Sequence, residues 1–188
     1  MLTTHGCAHQ ESRPVPGPER TSINILTLDN SSISFLEQTR NRITVVLFTR
    51  TDCPISNRLA PEIRNLYDTY HPRGVDFYLI YIDPREDAPT IRNHLKEYNY
   101  PCQALRDPEH ALVTYCNATA TPESVLFTGD QKIAYQGRIT DRYVELGNAR
   151  AGAVQHDLAN AIESTLRGEM IATAKTRPIG CPIADLQE

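Results

Sequence analysis

The chain has 188 residues, of which 40% are hydrophobic and 22% charged, and its formal net charge is −4. This length and composition predict one globular domain with room for terminal extensions. The sequence has no long basic block of the kind that binds nucleic-acid phosphates, and its longest apolar runs fall far short of the roughly 20 residues that span a bilayer.

Residues 1–20 are polar and rich in proline, which predicts a flexible N-terminal arm. The arm lacks the apolar core of a signal peptide, so the sequence as written predicts a cytoplasmic protein, with an exported protein as the alternative if a leader is missing from it. It contains His5, Cys7 and His9, a spacing that can bind copper or zinc. Because a mobile arm rarely holds a preformed site, we expect neither a metal nor a cofactor.

The domain is predicted to cover residues 21–168. Alternating apolar residues at 22–28 predict an edge strand, and the apolar run at 43–48 predicts a strand covered on both faces. Apolar residues at helical spacing predict a helix over 57–70 that ends at 71–74. The remaining predicted elements are a strand at 75–82, a helix at 88–98 capped by Asp87, a helix at 109–115, a hairpin of strands 124–127 and 132–136, an irregular segment at 137–152 and a helix at 154–166. This order predicts an α/β fold, with a mixed central sheet and helices on both faces.

Cys53 follows a predicted strand and begins a predicted helix, with Pro54 suited to the first helical position. The unpaired N–H groups and the dipole of a helix start stabilise a thiolate. A cysteine there has its pKa lowered from roughly 8.5 to between about 3.5 and 7.5. Ser56 can hydrogen-bond the sulfur, and Arg50 or Arg58 can add positive charge. We therefore expect Cys53 to be a nucleophile that faces an accessible groove, the alternative being a structural cysteine.

A single nucleophilic thiol needs another thiol to resolve the mixed disulfide that it forms. The five cysteines form no CxxC pair. Cys181 is the first candidate, because it lies on a C-terminal tail (169–188) that can reach the site, and we expect oxidation to link it to Cys53. Cys116 is the second candidate, but its burial as a small apolar residue is the favoured interpretation. Cys102 is expected to be structural.

Three features resemble the thioredoxin-like superfamily, in particular its redoxin branch, which includes cytochrome-maturation thioredoxins and peroxiredoxins. They are the CPxS run Cys53–Ser56 after a buried strand, the run Thr121–Glu123 before another strand, and the order of elements. The resemblance implies a thioredoxin-like fold with a cis bond between Thr121 and Pro122, packed beside the active cysteine. The segment Gly137–Tyr143, together with Gly180–Cys181, is similar to a bacterial subgroup of redoxins.

The chain also departs from both named branches. A thioredoxin has its second cysteine where this chain has Ser56, and a buried acid where this chain has Leu47. Peroxiredoxins have proline and threonine or serine at the positions of Val46 and Arg50. These departures weaken both activities without affecting the fold prediction.

The favoured function is a thiol–disulfide oxidoreductase in which Cys53 attacks, Pro122 shapes the partner groove and the strand edge beside Thr121 pairs with an extended peptide. The alternatives are a thiol peroxidase that uses Cys53, and a non-enzymatic copper-handling module that uses Cys53 with Cys181 or the N-terminal arm. The expected partners are protein or small-molecule thiols and disulfides, or a peroxide in the second case.

Two further sets of residues are given ordinary structural roles. Arg138 and Arg142 can bind an anion, but ion pairs within a solvated loop are favoured. The four histidines after the arm show no metal-ligand spacing and are expected at the surface or at helix ends; they are His71, His94, His110 and His156.

Overall fold

The computed structural model describes residues 22–145, 148–150, 152 and 154–184. Its centre is a seven-stranded sheet with the order β2-β1-β5-β4-β3-β7-β8. The three central strands β5, β4 and β3 are parallel and the outer ones antiparallel, so the predicted mixed sheet is confirmed. The strands are β1 (Asn24–Thr27), β2 (Ser32–Ser34), β3 (Ile43–Thr49), β4 (Val75–Tyr81), β5 (Gln103–Arg106), β7 (Glu123–Phe127) and β8 (Ile133–Gly137).

Helices cover both faces of this sheet, which gives the thioredoxin-like fold. They are α1 (Phe35–Gln38), α2 (Pro54–Arg58), α3 (Ala60–Tyr70), α4 (Ala88–Glu97), α5 (Ala111–Cys116) and α6 (Asp157–Leu166). Successive residues of β3 point to opposite faces: Val45 and Leu47 join one apolar core, and Val46 and Phe48 join the other. The prediction that this strand is buried on both sides is therefore confirmed.

The helix predicted over 57–70 is instead two helices, α2 and α3, that meet at Leu59. Pro61 lies in the first turn of α3 and has no N–H with which to bond the carbonyl group of Asn57. The short α2 therefore ends before α3 begins, and it forms the helical turn that directly follows Cys53. The predicted cap of α4 is confirmed, because the Asp87 carboxylate accepts the N–H of Thr90 at 2.9 Å.

Two small sheets were not predicted. The segment expected to be irregular contains β9 (Tyr143–Glu145) and β10 (Asn148–Ala149), which pair with each other. The C-terminal tail contains β11 (Cys181–Pro182), which pairs with β6 (Ala120–Thr121). The first strand is also not at the edge, because β2 lies outside it.

Residues 1–21, which include the arm with His5, Cys7 and His9, lie outside the described residues. Among the residues that are described, no helix combines the length and the apolar character that a membrane span requires.

Candidate functional site

Cys53 lies at the junction between β3 and α2, as the sequence predicts. Its backbone is extended (φ −80°, ψ 108°), and Pro54 occupies the start of the helix that follows. The carbonyl group of Cys53 accepts the N–H of Asn57 at 3.1 Å, which closes the first helical turn. The sulfur is therefore held by a strand on one side and a helical turn on the other.

The expectation that Cys53 faces an open groove is wrong. The residue is 0% exposed, and its thiol donates a hydrogen bond to the carbonyl oxygen of Thr121 at 2.9 Å. Thr121 ends β6, and the peptide bond that joins it to Pro122 is cis. The C-terminal tail pairs with β6, with Cys181 opposite Thr121, so the proline loop and the tail both lie beside Cys53.

Burial and hydrogen bonding act on the Cys53 sulfur in opposite directions. Burial raises the pKa of the thiol, whereas hydrogen bonds from the hydroxyl and backbone N–H of Ser56, from the hydroxyl of Thr121 and from the thiol of Cys181 lower it; the net result is a pKa of about 7. Both hydroxyls are buried and have no hydrogen-bond partner among the described residues while the sulfur is protonated. The ionised sulfur therefore gains donors that no competing acceptor occupies.

Arginine side chains are not among the principal groups that lower this pKa, contrary to the sequence-based expectation. The Arg50 guanidinium lies 2.8 Å from a carboxylate oxygen of Asp52 and 3.5 Å from one of Asp83. Arg58 is exposed at the far end of α2. The thiolate is stabilised by neutral hydrogen-bond donors instead.

Cys181 is brought to the site by strand pairing. In the antiparallel pair of β6 and β11, Cys181 lies opposite Thr121, and the N–H of Ile183 donates to the carbonyl oxygen of Thr119 at 3.0 Å. The strand edge that was expected to bind a substrate peptide is therefore occupied by this chain's own tail.

Gly180 permits this close approach. A Cβ atom at position 180 would lie 2.0 Å from the carbonyl oxygen of Thr121 and 3.0 Å from the backbone nitrogen of Pro122. These distances are far inside van der Waals contact, so a side chain at this position would force the tail away from β6. The sequence singled out Gly180 only through its resemblance to a bacterial subgroup and did not indicate this close contact.

The tail is anchored a second time upstream of Cys181. The N–H of Gln136 in β8 donates to the carbonyl oxygen of Ala174 at 2.9 Å, and the N–H of Thr176 donates back to the carbonyl oxygen of Gln136 at 3.0 Å. The hydroxyl oxygen of Thr176 accepts the N–H of Arg138 at 3.0 Å. Cys181 is therefore held between two backbone-paired points.

The loop before Cys53 is held by groups that the sequence did not reveal. Glu86 is buried, and its Oε1 accepts the N–H of Thr51 at 2.6 Å and the Thr51 hydroxyl at 2.7 Å. The amide of Asn57 donates to the carbonyl oxygen of Thr51 at 2.9 Å and is hydrogen-bonded to His94 at 2.8 Å. His94 is therefore a buried network residue, so a surface position for it is wrong. His110 is also buried, but it lies at the N-terminal end of α5, one of the two kinds of position that were predicted.

Cys102 and Cys116 are buried, one in each apolar core. Burial raises the pKa of Cys102 to about 12 and also raises the pKa of Cys116. The expected burial of Cys116 is confirmed, and Cys102 is buried as well. Among the described residues, no group of three or more histidine, cysteine or carboxylate side chains is placed to hold a metal ion.

The anion-binding alternative for Arg138 is not supported, because its guanidinium pairs with the Asp157 carboxylate at 2.7 Å.

A family model described as Redoxin matches residues 15–151, which is most of the chain. No curated protein matches the sequence.

Several solved structures resemble the chain. An uncharacterized conserved protein from Geobacillus kaustophilus gives a TM-score of 0.77 at 21% identity, with 92% of this chain and 93% of that chain covered. A hypothetical protein from Sinorhizobium meliloti 1021 gives 0.72 at 20% identity, with 92% and 95% covered. A secreted disulfide oxidoreductase of Mycobacterium tuberculosis, homologous to DsbE of E. coli, gives 0.57 at 18% identity, with 76% and 96% covered. At these identities, the likeness establishes the fold.

Proposed function

This chain belongs to the Redoxin family of thiol redox proteins, and we propose that it is a thiol–disulfide oxidoreductase that cycles between a Cys53/Cys181 dithiol and the corresponding disulfide. The proposal rests on the strand pairing of the tail: Cys181 lies opposite Thr121, whose carbonyl oxygen is 2.9 Å from the Cys53 sulfur. This pairing brings together two cysteines that lie more than a hundred residues apart in the sequence, and it supports a direct reaction between them.

In the reduced protein, the thiols of Cys53 and Cys181 differ in their pKa. Cys53, with a pKa of about 7, is substantially ionised at neutral pH. Burial, and then the hydrogen bond to Cys53 and the charge of its thiolate, raise the pKa of Cys181 to about 12, so this thiol keeps its proton. Because the thiolate is the reactive form, Cys53 is the nucleophile of the pair.

The redox balance of the cycle is that of disulfide exchange. Formation of the S–S bond between Cys53 and Cys181 removes two electrons and two protons from the pair. A substrate disulfide accepts them and leaves as two thiols. Run in reverse, the same cycle oxidises two substrate thiols to a disulfide.

The peroxidase alternative needs a cation beside Cys53 to stabilise the departing oxygen. Arg50, the residue in the position where peroxiredoxins have threonine or serine, is paired with Asp52 and Asp83. Disulfide exchange therefore has the better support. The copper-handling alternative stays a prediction.

Peptide mapping tests the proposal directly, because trypsin places each cysteine on a different peptide; Cys53 falls in 51–58 and Cys181 in 176–188. After oxidation with oxidised glutathione and blocking of free thiols, we expect these two peptides to be crosslinked. The crosslink should be lost in Cys53→Ser and in Cys181→Ser, and retained in the control variant Cys102→Ala.

Activity is measured as reduction of insulin with dithiothreitol as the electron source. Loss of an intramolecular partner thiol removes an effective concentration far above that of free thiol, so we expect either serine variant to lose activity by about 100-fold or more. Cys53 recovered only as sulfinic acid or as a glutathione adduct, or rapid Cys53-dependent consumption of hydrogen peroxide without insulin reduction, would contradict the proposal.

A further inference from the structure

The two sulfurs of the pair differ in their access to solvent. Cys53 is 0% exposed, and the carbonyl oxygen of Thr121 lies 2.9 Å from its sulfur. Cys181 is only partly buried. With the tail docked, the cysteine that retains exposed surface is therefore the one on the tail.

We propose that the oxidised protein exchanges with an external thiolate at Cys181, and that Cys53 is the sulfur released. This inference rests on the proposed Cys53–Cys181 cycle and deepens it. It also revises the expectation that Cys53 itself meets the substrate.

Reaction geometry supports this assignment. Thiol–disulfide exchange is an in-line displacement, so the attacking sulfur approaches along the S–S axis from the side opposite the leaving sulfur. Attack on Cys181 comes from the side that faces away from Cys53, and Cys181 has exposed surface. Attack on Cys53 has to come from the protein interior, against a residue without exposed surface. Access to a sulfur is one of the factors that set the rate of exchange at it.

The pKa of the leaving thiol also supports attack at Cys181 with release of Cys53. A thiol of lower pKa leaves faster in disulfide exchange. Donors from Ser56 and Thr121 stabilise the departing Cys53 thiolate at a pKa of about 7, whereas Cys181 has a pKa of about 12 in the reduced pair. Release of Cys53 is therefore the easier of the two departures.

The external thiolate forms a bond to the Cys181 sulfur, the bond between the two protein sulfurs breaks, and its electron pair remains on Cys53 as thiolate. A second external thiolate then attacks the sulfur of the first, and Cys181 leaves and takes a proton from solvent. Two thiols are converted to one disulfide and the protein pair is reduced, so the substrate class is a thiol and the oxidised protein is the oxidant.

The test is a rapid-quench labelling of the oxidised full chain. Oxidised protein is mixed with glutathione in one arm and with a short unstructured peptide containing one cysteine in the other. Samples are quenched with acid over a series of short times, free thiols are alkylated, and peptides 51–58 and 176–188 are quantified. Extrapolation to zero time removes any later transfer of the label between the two cysteines.

We expect the label on Cys181 to exceed that on Cys53 by about tenfold or more in both arms, with Cys53 recovered as the alkylated thiol. The control variant Cys102→Ala should give the same distribution. Label found mainly on Cys53, in either arm, overturns the inference while leaving the disulfide cycle intact. If the crosslinked peptide is missing before the thiol is added, the cycle itself fails.

Discussion

Cys53 at the start of α2 and Cys102 just before β5 are both withdrawn from solvent, with exposures of 0% and 5%. Their thiols nevertheless differ strongly in acidity. Burial raises the pKa of Cys102 to about 12, whereas at Cys53 the donors from Ser56, Thr121 and Cys181 outweigh burial and lower the pKa to about 7. The comparison shows that burial alone does not make a cysteine inert, because the polar groups that face the sulfur decide its charge.

The most pronounced change at Cys53 is expected from Gly180→Ala, which removes one donor by displacing Cys181 from its position opposite Thr121. The added Cβ would meet the carbonyl oxygen of Thr121 at 2.0 Å, so Cys181 should lose its register opposite that residue. We expect the effective concentration of Cys181 at Cys53 to fall by about tenfold or more, which raises the reduction potential of the pair by about 30 mV or more. Equilibration with glutathione buffers measures the shift.

The matched control is Gly152→Ala, because a Cβ at position 152 meets no atom within 4 Å. This variant should keep the potential of the parent protein. Equal potentials for Gly180→Ala and the parent would show that the close approach of the tail is unimportant.

The ionisation of Cys53 also predicts a pH dependence of stability. The folded-state pKa of Cys53 is below its unfolded value, so between about pH 7 and 9 the unfolded state binds more protons and the reduced protein gains stability as the pH rises. Relative to Cys53→Ala, we expect the free energy of unfolding to gain about 1.5 kcal/mol between pH 6.5 and 8.5, and to lose it as the pH falls back through 7.

Urea unfolding of both reduced proteins at several pH values measures this difference. Cys102 contributes with the opposite sign, because its folded-state pKa is raised and its contribution is lost as the pH rises above the value of a free thiol. A pH-independent difference between the two proteins would mean that Cys53 is not ionised in the folded state.

The smallest predicted effect is that of Ser56→Ala, which removes one hydroxyl donor and keeps the backbone N–H of the same residue. We expect the pKa of Cys53 to rise by about one unit or less, which corresponds to about 1.4 kcal/mol at most. The rate of alkylation as a function of pH measures it. The control is Thr49→Val. The Thr49 hydroxyl is also buried without a partner among the described residues, but it is not among the groups that set the Cys53 pKa. An equally large rise of the Cys53 pKa in the control would contradict the role assigned to Ser56.

The part of the fold that the sequence predicted well depends on local signals. The apolar run of β3, the proline after Cys53 and the carboxylate of Asp87 each act within a few residues of their own position. The break between α2 and α3 was missed even though Pro61 is a local signal, because the apolar spacing continues through it.

The covering of Cys53 could not be predicted in the same way. Pairing of β11 with β6 joins segments about 60 residues apart through two residues on each strand, too few to leave a periodic pattern. The sequence nominated Cys181 as a partner, but the mode of docking depends on backbone hydrogen bonds and on the contact of Gly180. The buried Glu86 that holds Thr51 was missed for the same reason, since a lone carboxylate in a loop resembles many exposed ones.

The separation of the paired cysteines along the chain has a consequence for the whole domain. A bond between Cys53 and Cys181 would close a covalent ring of about 130 residues, and a cross-link of that span restricts the unfolded chain by about 5 kcal/mol in the chain-entropy account. In a thioredoxin-type pair, by contrast, the ring encloses a single helical turn. Here the melting temperature would therefore report the redox state, and any force or denaturant that loosens the folded domain would also make its disulfide easier to reduce.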